Sequence, residues 1–136
     1  MTIVLDHTIV PARNKEQSAE FFARVFGLTY EGNWGHFAPV RVNESLGLDF
    51  QTRERFESHH YAFYVSEQEF DEIFGRVQAE GIPYGSGPYS VDDMKTGTRD
   101  GGHFVYFRDL DGHVLEVMTR AQILDPASDP WRERAR

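Results

Sequence analysis

The segment HFVYFRDLDGHVLEVMT, residues 103–119, predicts two paired strands joined by a tight turn. Its two arms are rich in aromatic and β-branched residues, and the intervening DLDG at 109–112 has the composition of a turn. Because side chains alternate along a strand, Val114, Glu116 and Met118 share one face. The segment therefore predicts a carboxylate, that of Glu116, in the middle of an apolar strand.

The chain before this segment adds a strand and a helix to the same half of the protein. Residues 60–65 predict a strand, and Ser66 with Glu69 three residues later forms a capping box at the start of a helix. Gly81 ends that helix, and a brief strand at 82–84 follows. This half therefore has the order strand, helix, strand, strand, strand.

The first half of the chain repeats this order. Residues 3–10 predict a strand that Pro11 ends, and Asn14 is a suitable N-cap for a helix that Gly27 terminates. Three short strands are then predicted, around residues 29–30, 37–42 and 46–51.

The repeat predicts an α+β fold built from two βαβββ modules. A helix covers one face of each module, so two modules together form a curved mixed sheet with a cup inside and the helices outside. We predict one domain at 1–120, made of module 1–54 and module 57–120, followed by a C-terminal tail at 121–136.

Superposing the two halves places His7 on His60. The same superposition places Asp49 on Glu116, and alternation points all four side chains into the cup. Two imidazoles with one or two carboxylates suit a divalent metal that retains open coordination positions, which is a site for chemistry. Asp49 is either a fourth ligand or a free carboxylate. His59 is an alternative to His60, although alternation favours His60.

The bulk composition excludes several classes of protein. A net charge of −8 argues against nucleic acid as a partner, and no apolar run approaches the roughly 18 residues of a membrane helix. The sequence has no cysteine, which excludes disulfides and thiolate ligands and fits a reducing compartment. The N-terminus lacks the pattern of a signal peptide. We therefore expect a cytoplasmic protein that acts on a small molecule.

Three motifs together resemble the vicinal oxygen chelate superfamily, which includes glyoxalase I, bleomycin and fosfomycin resistance proteins and extradiol dioxygenases. The resemblance covers about residues 3–119 and implies the paired βαβββ modules of a glyoxalase-like cup. The turn DLDG stands where the superfamily usually has DPDG. The matching motifs are LDHTIV at 5–10, HYAF at 60–63 and YFRDLDGHVLE at 106–116.

The resemblance also implies a metal held by His7, His60 and Glu116, and a homodimer. In this superfamily each cup is built from two modules of one chain or from one module of each of two chains, and the sequence leaves both arrangements open. Three further segments resemble a small branch similar to the chartreusin-pathway protein, associated with oxidative tailoring of aromatic polyketides. They are DHTIVPAR at 6–13, FAPVR at 37–41 and YGSGPY at 84–89.

These observations favour a metal-dependent dioxygenase-type oxidoreductase that chelates vicinal oxygens of an aromatic substrate. Fe(II) is the favoured metal, and Mn(II), Zn(II) and Ni(II) are also compatible with the ligands. A glyoxalase-like isomerase or lyase is the alternative enzyme. A metal-free drug-sequestering protein, as in bleomycin resistance, is the alternative without chemistry, and the retained ligand set argues against it.

Other polar residues are candidates for catalysis or for binding the substrate. Tyr106, Asp49 or His59 could take a proton from the substrate, and Tyr106 matches a substrate-contacting position in fosfomycin-type relatives. Arg41 and Arg99 could pair with an anionic or phenolate substrate.

Aromatic residues outside the metal ligands are further candidates for contact with the substrate. Tyr64 shares the cup face of the predicted strand that carries His60. Residues 85–102 are longer than an ordinary connection, and we interpret them as a lid with Tyr89 and Met94 as its apolar contacts.

Overall fold

The computed structural model describes residues 3–121, in which the N-terminal half forms a three-stranded sheet with one helix. The predicted tail at 121–136 lies outside the described residues except for Ala121. Across the sheet the order is β1-β3-β2, with β1 parallel and β2 antiparallel to β3. In chain order the elements are β1 (His7–Ala12), α1 (Lys15–Phe26), β2 (Ala38–Arg41) and β3 (Gly47–Thr52).

The C-terminal half forms a mixed sheet of five strands with a second helix. Its strands follow the path β4-β8-β7-β5, with β6 also paired to β7, and β4 runs parallel to β8. The α+β class with mixed sheets is therefore confirmed, and hydrogen bonding divides the strands between two sheets. The elements are β4 (His60–Tyr64), α2 (Glu67–Ala79), β5 (Tyr84–Gly85), β6 (Gly97–Arg99), β7 (Gly102–Arg108) and β8 (Val114–Met118).

The predicted caps set the ends of both helices. The side chain of Asn14 caps α1, and Gly27 ends it in the left-handed region at φ 71°. The capping box of Ser66 and Glu69 is formed at α2, and Gly81 follows that helix with φ 68°. Neither helix, nor any other helix within residues 3–121, is long and apolar enough to cross a membrane.

The prediction that Pro11 ends the first strand is wrong, because β1 continues to Ala12. Among the described strands β1 pairs with β3 alone, so it is an edge strand, where the missing N–H of a proline is tolerated. The carbonyl of Pro11 accepts a hydrogen bond from Nε2 of His113 at 2.7 Å. A side chain from the other half therefore takes the place of a further strand at this point.

Two other predicted segments differ from the structure. The strand predicted around 29–30 is reduced to a single bridge between Tyr30 and Val40. The segment 85–102 contains β6 and packs closely on β5, since a Cβ on Gly85 would lie 1.6 Å from the carbonyl oxygen of Ser90. This segment is therefore folded against the sheet, and its role as a lid stays a prediction.

Alternation along the strands separates a packed face from an open face, as the sequence predicts. In β3, Phe50 is buried, whereas Asp49 points to the opposite face and is half-buried. The packed faces of the two halves meet at Phe63 of β4, whose ring centroid lies 5.6 Å from that of Phe22 and 4.8 Å from that of Phe26 on α1. Each buried Phe contributes about 1.5–3 kcal/mol to stability. The core therefore lies on the helix side, and the other face carries the polar residues.

A buried carboxylate joins the two halves. Asp111, in the turn between β7 and β8, is 6% exposed. Its Oδ1 accepts a hydrogen bond from the backbone N–H of Arg13 at 2.8 Å, and its Oδ2 accepts one from the hydroxyl of Ser18 at 2.5 Å. Both donors belong to the β1–α1 connection and the first turns of α1. The predicted DLDG turn therefore fixes the N-terminal half against the C-terminal half.

His113 belongs to the same junction, and replacing it with alanine is expected to lower the free energy of unfolding by about 2–5 kcal/mol. The buried ring donates to the carbonyl of Pro11 and accepts from the backbone N–H of His59 at 2.9 Å, so alanine leaves a buried carbonyl and a part-buried N–H without these partners. Urea unfolding of both proteins measures the difference. The exposed His36 provides a control, His36→Ala, expected to change stability by under about 0.5 kcal/mol. Equal effects of the two substitutions would contradict a stabilising role for the junction.

Candidate functional site

Glu116 lies in the centre of β8 with 2% of its surface exposed. One carboxylate oxygen, Oε1, lies 2.9 Å from Nε2 of His60 on β4. The other, Oε2, is buried and accepts no hydrogen bond from any residue that the structure describes. Its nearest cation is the guanidinium of Arg99, with Nη2 at 3.9 Å, beyond hydrogen-bond distance. Leaving a buried acceptor without a hydrogen bond costs about 1–3 kcal/mol, so its retention requires a reason. A ligand that binds at this oxygen is one such reason.

Two further predicted residues surround this carboxylate, and together with His60 and Glu116 they form what we call the C-terminal half-site. Tyr106 stands directly opposite Glu116 in the β7–β8 register, and its ring centroid lies 5.8 Å from that of His60. Arg99 on β6 extends over the ring of Phe104, and its Nη2 lies 3.9 Å from Oε2 of Glu116. The fold therefore brings four of the predicted site residues together.

The acid–base properties of this half-site follow from burial and from the charge of Glu116. Burial first, and then the negative charge of Glu116, raises the pKa of Tyr106 to about 12. The phenol therefore keeps its proton at neutral pH and is a hydrogen-bond donor. The ring of His59, another candidate base, lies 5.6 Å from the ring of the buried His113. His59 directly precedes β4, and its position beside His113 directs it away from the face of His60.

His7 lies at the start of β1 in a separate group, which we call the N-terminal half-site: His7, Asp6, Asp49 and Arg41. Asp49 and Arg41 line the same pocket of about 370 Å³ as His7. Nδ1 of His7 lies 2.8 Å from Oδ2 of Asp6. This hydrogen bond, followed by the charges of Asp49 and Asp6, raises the pKa of His7. A carboxylate bonded to one ring nitrogen is typical of metal-ligating histidines, because it orients the other nitrogen.

The two half-sites do not form one metal-binding cluster within a single chain. His7 and Asp49 lie on the three-stranded sheet, whereas His60 and Glu116 lie on the five-stranded sheet. Across residues 3–121, no three His, Asp or Glu side chains are grouped closely enough to hold a metal ion. The fold therefore pairs His60 with Glu116 and His7 with Asp49, but it does not unite the two pairs.

The remaining predicted contacts are exposed in a single chain. Tyr64 is 68% exposed at the end of β4, on the same strand face as His60. Tyr89 is 99% exposed in the segment between β5 and β6, and Met94 in that segment is 55% exposed. Arg41 donates a hydrogen bond from Nη2 to the backbone carbonyl of Glu44.

Two residues at the N-terminal half-site are not among those predicted from the sequence. Trp34 also lines the pocket around His7, although it lies outside the predicted strands and no periodicity marks it. Asp6 pairs with His7, and here a signal existed, because an acidic residue next to a predicted metal-binding histidine is a natural partner for its second nitrogen.

Solved structures of related proteins share this arrangement of elements. The oxidase ChaP-H2 is 42% identical to this chain, with a TM-score of 0.84 over 89% of this chain and 96% of that one. The oxidase ChaP-H1 is 40% identical, with a TM-score of 0.83 over 88% of this chain and 98% of that one. The chain belongs to the vicinal oxygen chelate superfamily. Within that superfamily it falls in the ChaP-like branch, as the three narrower segments predict.

A more distant relative of this vicinal oxygen chelate protein is a transferase and not an oxidase. The glutathione transferase FosA of Serratia marcescens is 26% identical over 120 residues, which cover 83% of this chain and 78% of the relative. No protein-family model matches the chain. Because one fold serves oxidases and a transferase, membership of the superfamily does not by itself determine the reaction.

Proposed function

We propose that this protein is a metal-dependent oxidoreductase of dioxygenase type that acts on an aromatic substrate with two adjacent oxygens. The observation that carries the proposal is the buried Oε2 of Glu116, which accepts no hydrogen bond among the described residues. The chain is 42% identical to the oxidase ChaP-H2 and 40% identical to the oxidase ChaP-H1, which supports an oxidase over the other reactions of the superfamily.

His60 and Glu116 fit a divalent metal, and His7 supplies a suitable third ligand. Nε2 of His60 and Oε1 of Glu116 lie 2.9 Å apart, so the two atoms are close enough to ligate the same ion. Two imidazoles and a carboxylate leave open coordination positions and are compatible with Fe(II), the metal we favour, and with Mn(II), Zn(II) or Ni(II). When bound, the metal would polarise the two substrate oxygens, and Fe(II) would in addition permit chemistry with dioxygen.

We propose further that a homodimer unites the two half-sites, with His7 from one chain and His60 and Glu116 from the other. Ile9 follows His7 along one open strand face and is 39% exposed, and Tyr64 follows His60 along the other and is 68% exposed. Apolar side chains beside both half-sites are suited to burial by a second subunit. A two-fold axis would then produce two equal sites.

The chain's own residues would hold the substrate and control its protons. The phenol of Tyr106 would donate a hydrogen bond to a substrate oxygen, because its raised pKa keeps it protonated. Arg99 carries a positive charge beside Glu116 and would stabilise negative charge on the substrate. Asp49 is a carboxylate in the pocket of His7 and is our candidate for the group that accepts the substrate proton.

The same carboxylate supports a second candidate function, a glyoxalase-like lyase or isomerase. Asp49 lines the pocket of His7, so it is placed where a fourth ligand or a proton shuttle would stand. In that case the side chain would be bound to the metal, and fewer coordination positions would remain for dioxygen.

Metal-dependent oxygen uptake tests the proposal. The full chain is reconstituted without oxygen with Fe(II), Mn(II), Zn(II) or Ni(II) and then supplied with a catechol and air. We expect oxygen uptake with Fe(II) alone, and Glu116→Gln, which keeps the size of the side chain and removes its charge, is the matched inactive control. Isomerisation of a hemithioacetal with Ni(II) or Zn(II) would instead establish the lyase. Tight ligand binding that a chelator does not change would establish sequestration.

A further inference from the structure

Trp34 is a large aromatic side chain that the fold holds at the surface. It is 75% exposed, although tryptophan is among the residues that proteins bury most extensively on average. Its position is nevertheless fixed, because its backbone N–H donates to the carbonyl of Phe37 at 2.9 Å and its carbonyl accepts from the N–H of Phe37 at 3.1 Å. Gly35 completes the tight turn with φ 60°. A rigid backbone therefore presents an exposed indole.

The indole stands at the boundary between two pockets. One is the pocket of about 370 Å³ that contains His7. The other has a volume of about 600 Å³ and extends along the chain that follows α1, from Gly27 to Gly32. Trp34, Pro39 and Arg41 line both, so the two pockets adjoin at these three residues, and we call the two together the groove.

The groove is larger than a substrate of one ring requires. A cavity of about 150 Å³ is enough for benzene, and the pocket of His7 alone has about 370 Å³. A substrate whose reacting oxygens lie near His7 therefore has room for a further ring in the direction of the second pocket. Trp34 is the aromatic side chain along that route, and aromatic rings in contact gain affinity beyond simple burial.

We propose that Trp34 is a specificity-determining residue that stacks against a second ring of the substrate, so that the site selects fused-ring aromatics over single rings. This inference rests on the proposed function, because it assumes that the substrate reacts near His7. Arg41 lies at the same boundary and provides a guanidinium for an oxygen on the outer ring.

Paired probes that differ by one ring test this inference. Salicylate and 1-hydroxy-2-naphthoate carry the same pair of chelating groups, a hydroxyl ortho to a carboxylate, and calorimetric titration into the full-length protein measures the affinity of each. We expect the bicyclic probe to bind at least about 10-fold more tightly to the wild type. Trp34→Ser is expected to reduce this ratio to under about 3-fold, because the bicyclic probe loses more affinity than salicylate does, and Trp34→Phe is expected to retain most of it.

Each contrary result has a distinct meaning. An unchanged ratio in Trp34→Ser, a wild-type ratio near one or no binding of the bicyclic probe would overturn the inference. A change of oligomeric state in Trp34→Ser would also overturn it, because Trp34 would then be a subunit contact. The titrations are performed with Zn(II) and again after chelation, and metal content is measured in parallel. Failure to bind Zn(II) would refute the proposed function, while the ratio after chelation would still decide the role of Trp34.

Discussion

Replacing His60 with alanine is expected to reduce the affinity for metal by more than about 100-fold. Loss of a residue that only supports a ligand costs up to about 100-fold, and loss of the ligand itself should cost more. Nε2 of His60 lies 2.9 Å from Oε1 of Glu116, so the substitution removes one of two neighbouring atoms that we propose as ligands of one ion. The fold is expected to remain intact, because the side chain of His60 is 45% exposed and lies outside the packed core. Metal analysis after dialysis against Fe(II) or Zn(II) measures the loss, and circular dichroism reports the fold.

His59 provides the matched control for this prediction. It is the adjacent histidine on the chain, but its ring lies beside that of His113 on the other face of the strand. His59→Ala is therefore expected to bind metal like the wild type. If His60→Ala retained metal and His59→Ala lost it, His59 would be the ligand. If both variants bound metal fully, neither histidine would be a ligand.

The sequence predicts the local structure well wherever a single residue determines it. Asn14, Ser66 and Gly27 mark helix ends because each satisfies backbone groups that a helix leaves without partners, whatever the rest of the fold does. Pro11 shows the limit of such rules. Its effect depends on whether a neighbouring strand needs its N–H, and that neighbour is determined only by the tertiary structure.

The candidate site was predictable as a set of residues and not as an assembly. Alternation places His60 and Glu116 on one face of adjacent strands, and the structure brings them to 2.9 Å. The relation of His7 to this pair depends on how the two sheets are arranged, which no local pattern records. Trp34 was missed for a similar reason, because it becomes a pocket residue only when the turn that holds it meets β2.

A mixed dimer of two inactive variants is expected to regain metal binding, because we propose that two chains contribute to each site. His7→Ala removes a ligand from the N-terminal half-site, and Glu116→Gln removes one from the C-terminal half-site. If each site combines His7 of one chain with Glu116 of the other, a mixed dimer has one site with both substitutions and one site with neither. The intact site should restore metal binding and oxygen uptake that neither variant shows alone.

The metal content of this purified mixed dimer is the measurement that tests the account most directly. The two variants are co-expressed with different affinity tags, and the dimer that carries both tags is isolated. We predict about one metal ion per mixed dimer, about two per wild-type dimer and almost none for either variant alone. A mixed dimer without metal, or a wild-type protein that binds its metal as a monomer, would contradict the proposal that one cation is held between two chains.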